Sequence, residues 1–441
     1  MRRTHIFLKE SERKAGKGER QTMRWITMVL VAAAAITAAG FNHAPAALGQ
    51  AKSGGQVWVA TWGASPIAPA PTNSTNPGFN NQTVRMIIHT SGGGNEVRVR
   101  LSNAFGVDAL NVGAAHIALH GIGAGTMPGS DRELTFGGSK SASVPPGALM
   151  VSDAVKMSVP NLSDLVVSLY LPGSTGQATW HRDGHSTNYV STAGDYTGAA
   201  EMPIDRTVTS WFYLTDVEVM APKGATAIVA LGDSITDGTA SKDDANHRWP
   251  NFLAERLVAR HLNLTVVDQG IGGNRILHDQ AGPNALARFD RDVLAQPGVG
   301  YVTVMLGIND IQRSTALPGA APGGGPPVEP VSADEIIGGH RQMVLRAHQQ
   351  GLKIIGCTLT PYEGTRAYNV EGENKRQAIN NFIRTSGVYD GVIDFDAALR
   401  DPAHAGRLQS RYDSGDHLHP NDAGYQAMGD AIDLSLFKQG Q

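Results

Sequence analysis

Two segments of this sequence, far apart along the chain, carry side chains that together could cleave an ester. Ser234 follows an apolar segment in Gly-Asp-Ser-Ile-Thr, and Asp416 and His419 lie three residues apart near the C-terminus. A serine hydroxyl becomes a nucleophile when an imidazole removes its proton, and a carboxylate orients that imidazole. At this spacing a carboxylate can reach Nδ1 of the ring while Nε2 faces the serine. The sequence therefore predicts Ser234, His419 and Asp416 as a catalytic set.

Two further segments could stabilise the oxyanion that forms when a serine attacks a carbonyl. Gly273, in Gly-Ile-Gly-Gly-Asn-Arg, can offer a backbone N–H where a side chain would obstruct the substrate, and Asn309, in Gly-Ile-Asn-Asp, can offer an amide N–H. With the N–H of Ser234 they would form a three-donor oxyanion hole. Each residue also has a purely structural interpretation: a tight turn for Gly273, a turn-capping amide for Asn309 and a helix N-cap for Ser234.

A metal site is the alternative interpretation of the C-terminal cluster. Asp413, Asp416, His417 and His419 lie within seven residues, but no H-E-x-x-H or comparable ligand set accompanies them. Cys357 is the only cysteine, which excludes an intrachain disulfide and a cysteine-rich zinc site. Its apolar surroundings predict a buried strand residue.

The elements that must position these residues alternate between strand and helix from residue 223 onward. The predicted strands cover 226–231, 264–267, 301–306, 353–359 and 392–395, and the predicted helices cover 249–262, 284–294, 332–350, 374–385 and 421–437. Such alternation predicts a parallel sheet with helices on both faces. Ser234, Gly273 and Asn309 each follow a predicted strand, and ligands bind at the carboxyl ends of parallel strands. All three residues can therefore converge at one edge of the sheet.

The region before it, residues 55–222, has a β texture. Segments 83–89, 97–101, 165–171 and 211–219 are rich in Val, Ile, Thr and aromatic residues and are separated by Gly, Pro, Ser and Asn. Short strands at this spacing predict an all-β sandwich of jelly-roll-like type. Four tryptophans of this region could stack on sugars, although such residues more often fill a core or an interface: Trp58, Trp62, Trp180 and Trp211.

Length and charge bound the class of protein. With 441 residues the chain predicts two domains, 55–222 and 223–441. A net charge of −3 argues against a nucleic-acid partner, which normally meets a basic face.

The N-terminal 48 residues are typical of a targeting segment. Arg24 precedes the apolar segment 26–39, and Ala44-Pro45-Ala46 matches a small-x-small cleavage site. The apolar segment is shorter than the roughly 20 residues that span a bilayer. We expect a cleaved signal peptide, a secreted or periplasmic protein and no stable membrane span after cleavage. An uncleaved anchor is the alternative, and Met23 is a candidate start of translation.

In order and spacing, the four segments resemble the blocks of the SGNH (GDSL-type) hydrolase superfamily. The resemblance covers about residues 225–437 and rests on GDSITDG, GIGGNR, GIND and DHLHP. It implies that Ser234 is the nucleophile, His419 the base and Asp416 its orienter. It also implies an oxyanion hole of Ser234, Gly273 and Asn309, a three-layer α/β/α flavodoxin-like fold, and no metal or organic cofactor.

A narrower resemblance concerns the substrate. The β region in front, with RWPNFLAERL at 248–257 and ARFDRDVLAQPGV at 287–299, is similar to a bacterial secreted subgroup of XynE-type arylesterases and acetylxylan esterases. It implies a small-molecule or polysaccharide substrate carrying short-chain carbohydrate O-acetyl or aryl esters. Two alternatives stay open: a lipase or lysophospholipase acting on lipid esters, and a carbohydrate-binding protein whose hydrolase half is secondary.

Overall fold

The structure is a computed structural model that describes residues 55–69, 76–314 and 329–437. The predicted signal peptide, residues 1–48, lies outside the described residues. All the described residues belong to the same compact unit.

The N-terminal region consists mostly of antiparallel sheets. A five-stranded sheet has the order β1-β15-β3-β8 with β9 also paired to β3, and a six-stranded sheet has the order β13-β12-β2-β10-β5-β6. The strands are β1 (Gln56–Gly63), β2 (Gln82–His89), β3 (Gly94–Ser102), β4 (Leu110–Val112), β5 (Ala114–Leu119), β6 (Arg132–Leu134), β7 (Ala142–Val144), β8 (Leu149–Val151), β9 (Val155–Val159), β10 (Asp164–Leu171), β11 (Trp180–His181), β12 (Asn188–Ala193), β13 (Ile204–Val208), β14 (Trp211–Phe212) and β15 (Leu214–Pro222).

Both sheets contribute to one hydrophobic core. Side chains alternate across a strand, so every second residue of β3 and of β10 reaches the core, and Leu165 of β10 pairs with Ile88 of β2. Trp62, Trp180 and Trp211 belong to the same core and are at most 7% exposed. Trp62 meets Trp211 edge to face with ring centroids 4.9 Å apart. Three of the four tryptophans proposed for sugar stacking therefore fill the core instead.

The C-terminal region is an α/β fold built on a parallel sheet. Its elements are β16 (Thr226–Gly232), α1 (Ser234–Asp237), α2 (Trp249–Ala259), β17 (Leu264–Gly270), α3 (Ala285–Phe289), β18 (Val299–Met305), α4 (Ile308–Ser314), α5 (Ala333–Gln349), β19 (Lys353–Cys357), α6 (Val370–Thr385), β20 (Gly391–Ile393), α7 (Phe395–Leu399) and α8 (Asp422–Ala431). The strand order β17-β16-β18-β19-β20 is the flavodoxin-like order. Among the described residues, no helix is long and apolar enough to cross a membrane.

Helices cover both faces of this sheet. Val229 and Leu231 of β16 face a core that includes residues of α3, α5 and α6. Ile228 and Ala230, which point the other way, face a core that includes residues of α2, α7 and α8. Strand β16 is thus apolar on both sides, as a central strand between two helical layers must be, and the expected three-layer order is present.

Most boundaries lie within a few residues of their predicted positions, and the larger differences have local causes. Helix α6 begins four residues before its predicted start because the Asn369 side chain accepts a hydrogen bond from the N–H of Gly372 and caps the helix earlier. The predicted helix 284–294 is α3 followed by a π-helical turn, Asp290–Leu294. The last predicted helix ends at Ala431, since Ile432 is extended, and a short 3-10 turn follows at Leu434–Phe437.

The two regions are joined by polar contacts along β1 and β17. The Thr265 hydroxyl donates to the carbonyl of Ala60 at 2.7 Å, and the N–H of Val266 donates to the Ser91 hydroxyl at 2.9 Å. From the other side, the N–H of Ala60 donates to the carbonyl of Pro297 at 2.9 Å. These contacts bring the β region next to the loop that follows β17.

Candidate active site

Ser234 sits on a sharp turn between β16 and α1. A Cβ on Gly232 would lie 2.0 Å from Oγ1 of Thr236, so only glycine fits where the strand turns into the helix. The Asp233 side chain accepts a hydrogen bond from the N–H of Ile235 at 3.1 Å and serves as the N-cap. Ser234 is therefore the first residue of the helix, and its interpretation as an N-cap is wrong.

The loop before α8 brings His419 and Asp416 to this serine. Nε2 of His419 lies 2.8 Å from Oγ of Ser234, and Nδ1 lies 2.6 Å from Oδ2 of Asp416. Oδ1 of Asp416 accepts from the backbone N–H groups of Leu418 and His419, at 2.9 and 2.8 Å. Because a carboxylate oxygen only accepts, Nδ1 carries a proton, and Nε2 is left to accept the serine proton.

Electrostatics keep Asp416 charged. Burial of this half-exposed side chain disfavours the anion, but the hydrogen bonds from the His419 ring and from two backbone N–H groups outweigh it and hold the pKa of Asp416 well below its usual range. A permanent carboxylate at this position stabilises the imidazolium that forms when His419 takes a proton.

The neighbouring His417 makes a separate pair with Asp413. Nδ1 of His417 lies 2.6 Å from Oδ2 of Asp413. The four side chains of the metal alternative thus form two Asp–His pairs. Within the part of the chain that the structure describes, no group of three or more His, Cys, Asp or Glu side chains is arranged to hold a metal ion.

Gly273 lies in the loop that follows β17. Its φ of +80° falls in the left-handed region, which glycine adopts without strain. The loop is held on both sides of Gly273: the N–H of Gly272 donates to Oδ2 of Asp237 at 2.9 Å, and Oδ1 of Asn274 accepts from Nε of Arg288 at 3.0 Å. The backbone N–H groups of Gly273 and Ser234 donate to no acceptor among the described residues. Both are free to bind an oxyanion.

Asn309 reaches the same loop from α4. Its Nδ2 donates to the carbonyl of Asn274 at 3.1 Å, which leaves the second N–H of the amide available. The next residue, Asp310, accepts from the N–H groups of Ile276 and Leu277 at 2.8 and 3.1 Å. These hydrogen bonds fix the start of α4 to the loop that contains Gly273, close to Asn274.

Three residues of this site were not predicted from the sequence: Asp237, His181 and Arg288. Asp237 stands three positions after Ser234 in GDSITDG, so its nearness was a signal that could have been used. His181 and Arg288 come from distant segments without a local motif. The guanidinium of Arg288 is fully buried and donates to the carbonyls of Gly232 and Gln269 at 2.8 and 2.7 Å. It therefore ties the serine turn to the Gly273 loop.

Comparison with known families agrees with this geometry. Residues 230–427, which hold all five predicted site residues, match the family model described as the GDSL-like Lipase/Acylhydrolase family. The C-terminal region belongs to this family of SGNH hydrolases. Residues 230–427 are accordingly a GDSL-type hydrolase region, and no curated protein matches the chain.

Solved structures similar to this chain include two acetylxylan esterases and a GDSL-like lipase. The acetylxylan esterase Axe2 from Geobacillus stearothermophilus is 24% identical, with coverage of 48% of this chain and 93% of that chain and a TM-score of 0.36. The acetyl xylan esterase AlAXEase is 21% identical, with coverages of 46% and 96% and a TM-score of 0.34. A GDSL-like lipase from Bacteroides thetaiotaomicron is 19% identical, with coverages of 48% and 88% and a TM-score of 0.35.

Proposed function

We propose that this GDSL hydrolase is a serine esterase that works through an acyl-enzyme on short-chain esters. The observation that carries the proposal is the continuous set of hydrogen bonds from Asp416 through His419 to Ser234, at 2.6 and 2.8 Å. The base is within hydrogen-bonding distance of both the nucleophile and the orienting carboxylate without rearrangement.

The first half of the reaction acylates Ser234. Nε2 of His419 takes the hydroxyl proton while Oγ bonds to the ester carbonyl carbon, and the carbonyl electron pair moves to oxygen. The tetrahedral intermediate then collapses, the bond to the alcohol oxygen breaks, and that oxygen takes the proton from Nε2. In the second half, water gives its proton to Nε2 and attacks the acyl carbon, and Ser234 leaves with that proton as the acid is released.

The oxyanion is bound by the N–H groups of Ser234 and Gly273 and by the Asn309 amide. Removal of one such donor typically costs about 10²–10³-fold in kcat. The proposal needs no metal, because the backbone and amide donors supply the stabilisation of the developing charge.

Two substitutions test the catalytic assignment. Ser234→Ala should abolish hydrolysis of p-nitrophenyl acetate and leave the thermal unfolding midpoint close to that of the wild type. His419→Gln should lower kcat by about 10⁶-fold, the size of loss found when the histidine of such a triad is removed. The matched control is His417→Gln, since His417 makes the same contact with Asp413 and does not touch Ser234. Wild-type turnover by Ser234→Ala would refute the proposal.

A groove beside the Gly273 loop supports a sugar-sized alcohol part. It has a volume of about 420 Å³ and lies between Ile67, Phe105 and Arg182 of the β region and residues 279–283 of the hydrolase region. Ala281 of this groove is 3.1 Å from the position that a Cβ of Gly273 would take. An alcohol in the groove would thus lie next to the proposed oxyanion donor. We assign carbohydrate O-acetyl esters as the first substrate class and aryl esters as the second.

A series of nitrophenyl esters, together with acetylated xylan, tests the substrate class. We expect maximal kcat/KM for the two-carbon acyl chain and release of acetate from the polysaccharide. Arg182→Ala should raise KM for acetylated xylooligosaccharides and leave KM for p-nitrophenyl acetate unchanged. An optimum at eight to sixteen carbons would replace this assignment by lipid esters.

Secretion and the architecture of the β region are further proposals. We propose that residues 1–48 are a cleaved signal peptide, and N-terminal sequencing of exported protein tests this. A mature chain that begins before Ala44 would contradict it. We also propose that residues 55–222 form a jelly-roll-like β-sandwich domain and residues 223–441 the hydrolase domain; the shared core of the two antiparallel sheets supports the sandwich.

A further inference from the structure

A histidine of the β region reaches the turn that carries the proposed nucleophile. His181, in β11, is 5% exposed, and its Nε2 lies 2.9 Å from Oδ1 of Asp237 in α1. Its Nδ1 lies 3.0 Å from the carbonyl oxygen of Ser65. A carbonyl oxygen and a carboxylate oxygen only accept hydrogen bonds, so both ring nitrogens donate. The ring is therefore an imidazolium that forms a buried ion pair with Asp237.

Asp237 uses its second oxygen on the loop of the oxyanion hole. Oδ2 accepts from the N–H of Gly272 at 2.9 Å, and Nε of Arg248 donates to the backbone carbonyl of Asp237 at 2.6 Å. Burial opposes the charge on Asp237, but His181 and Arg248 outweigh it and lower its pKa. Burial likewise opposes the charge on His181, and Asp237 outweighs it and raises the pKa of the ring. Both partners are thus held in their charged forms.

We propose that Asp237 and His181 are positioning residues that aim the N–H of Gly273 at the substrate, so that the β region completes the active site of the hydrolase region. The inference rests on the proposed function, because it concerns the oxyanion hole of that reaction. It assigns the β region a part in catalysis beyond substrate binding.

The geometry explains why a hydrogen bond to Gly272 sets the direction of the next N–H. Gly273 is a residue with φ of +80° between two tethered neighbours: Gly272 is bound to Asp237, and Asn274 is bound to Arg288. Glycine has no Cβ to limit its backbone, so the tethers must supply the restraint. Without the Asp237 carboxylate, the N–H of Gly272 loses its acceptor, and the peptide between the two glycines is held only from the Asn274 side, where the N–H of Asn274 donates to the carbonyl of Ile271 at 3.0 Å.

The two groups that hold this loop, Asp237 through His181 and Arg288 directly, are both connected to Ser65 of the β region. Its carbonyl accepts from His181 at 3.0 Å, and its hydroxyl accepts from Nη1 of Arg288 at 2.8 Å. The residues after His181 also pack on the loop: a Cβ on Gly272 would lie 2.7 Å from Oδ2 of Asp183 and 3.3 Å from Nη2 of Arg182. The β region therefore packs directly against the oxyanion loop at Gly272.

Asp237→Ala and Asp237→Asn separate positioning from mere packing. In Asp237→Asn, the amide oxygen can accept from Gly272, and the amide N–H can donate to Nε2 of a neutral His181 that still donates from Nδ1 to Ser65. We expect this variant to keep kcat within about 10-fold of the wild type. Asp237→Ala removes the acceptor and should lower kcat by about 10²-fold, towards the cost of a lost oxyanion donor. KM for p-nitrophenyl acetate should change little in both.

Inhibition by a small alkylboronic acid gives a second readout. Boron accepts an electron pair from the Ser234 oxygen, the hydroxyl proton passes to Nε2 of His419, and the tetrahedral boronate places a boron-bound oxygen in the oxyanion hole. We expect the inhibition constant to rise in Asp237→Ala in parallel with the fall in kcat/KM. His181→Ala, which keeps Asp237 but frees its carboxylate, should lower kcat by about 10-fold and serves if Asp237→Ala does not fold.

Asp268→Ala is the matched control. Asp268 lies in the same charged cluster beside Arg248 and accepts from the N–H of Gly270 at 2.8 Å, two residues before the tether. We expect Asp268→Ala to lower the thermal unfolding midpoint and to lower kcat much less than Asp237→Ala does. Equal kcat values for Asp237→Ala and Asp237→Asn, or equal losses of kcat in Asp237→Ala and Asp268→Ala, would overturn the inference. Activity in Ser234→Ala would instead overturn the proposed function, so the two failures are distinguishable.

Discussion

The substitution Asp416→Asn tests the reasoning about the catalytic base at the level of single protons. Oδ1 of Asp416 accepts from two backbone N–H groups, of Leu418 and His419, at 2.9 and 2.8 Å. An asparagine must place its oxygen at this position, because its NH₂ group would meet two donors there. The NH₂ group then takes the place of Oδ2 and faces Nδ1 of His419. Since an NH₂ group donates, Nδ1 has to accept, and the ring proton moves to Nε2.

A proton on Nε2 leaves no base for Ser234. The same exchange of tautomers in a Ser-His-Asp triad lowers kcat by about 10⁴-fold. At about 1.36 kcal/mol per factor of ten, this corresponds to roughly 5.4 kcal/mol of lost transition-state stabilisation. We expect a fall of this size in kcat for p-nitrophenyl acetate, and little change in the unfolding midpoint because the amide is isosteric with the carboxylate.

The chain contains its own control for this experiment. Oδ1 of Asp413 accepts from the N–H groups of Gly415 and His417, and Oδ2 accepts from Nδ1 of His417 at 2.6 Å. Asp413→Asn therefore imposes the same exchange of tautomers on a histidine that does not touch Ser234. Its kcat should stay within about threefold of the wild type. If Asp416→Asn kept kcat within 10-fold of the wild type, or if both variants lost activity equally, the assignment of His419 as base would be refuted.

Three further predictions concern the oxyanion donor Asn309, the turn at Gly232 and the buried carboxyl group of Asp216. Asn309→Ala should lower kcat by about 10²–10³-fold with KM nearly unchanged, and a loss confined to KM would show that Asn309 binds the ground state only. Gly232→Ala should destabilise the fold by about 1–3 kcal/mol, because its Cβ would lie 2.0 Å from Thr236; urea unfolding measures this, and an unchanged midpoint would contradict it. Burial raises the pKa of Asp216 to about 8, although the nearby Arg100 lowers it. Between about pH 4 and pH 8 the folded protein therefore holds a proton that the unfolded chain has released. Stability should fall as the pH rises from about 4 to about 8, and Asp216→Asn should remove this contribution, by up to about 1.4 kcal/mol per pH unit; equal pH slopes for the two proteins would exclude it.

The hydrolase fold could be predicted from sequence because its signals are local. Strands such as Thr226–Gly232 are short apolar segments, and the glycines and the serine that follow them mark the strand ends where the site forms. Asp416 and His419 lie in one turn, so their pairing needed no knowledge of the tertiary structure. The capping box at Ser332 and Glu335 likewise gave the start of α5 within one residue.

What the sequence could not supply depends on contacts between distant segments. His181 is more than fifty residues from Asp237, and Ser65 is more than two hundred residues from Arg288. Nothing in the spacing of these residues distinguishes them from other polar residues in loops. Their partners are chosen by how the β region packs against β17, and this packing is set by many contacts of which none carries a motif.

Environment, rather than residue type, separates the roles of the three aspartates around Ser234. Asp416 is half exposed and receives hydrogen bonds from His419 and from backbone N–H groups, which hold its pKa low and keep it charged beside the base. Asp237 is buried but faces the His181 imidazolium, so it stays charged as well and can hold the Gly273 loop through the N–H of Gly272.

Asp233 is equally buried, but it bonds to no cation. Burial raises the pKa of Asp233 to about 7, and among the described residues its carboxyl group accepts a hydrogen bond only from the N–H of Ile235. At neutral pH a carboxyl with this pKa is partly protonated, so it adds less negative charge next to Ser234 than a full carboxylate would. An oxyanion forming one residue away meets less repulsion as a result, because two like charges in a buried site disfavour each other. Asp233 can thus cap helix α1 and still carry little negative charge. A permanently ionised Asp233 would oppose the transition state that the site has to stabilise.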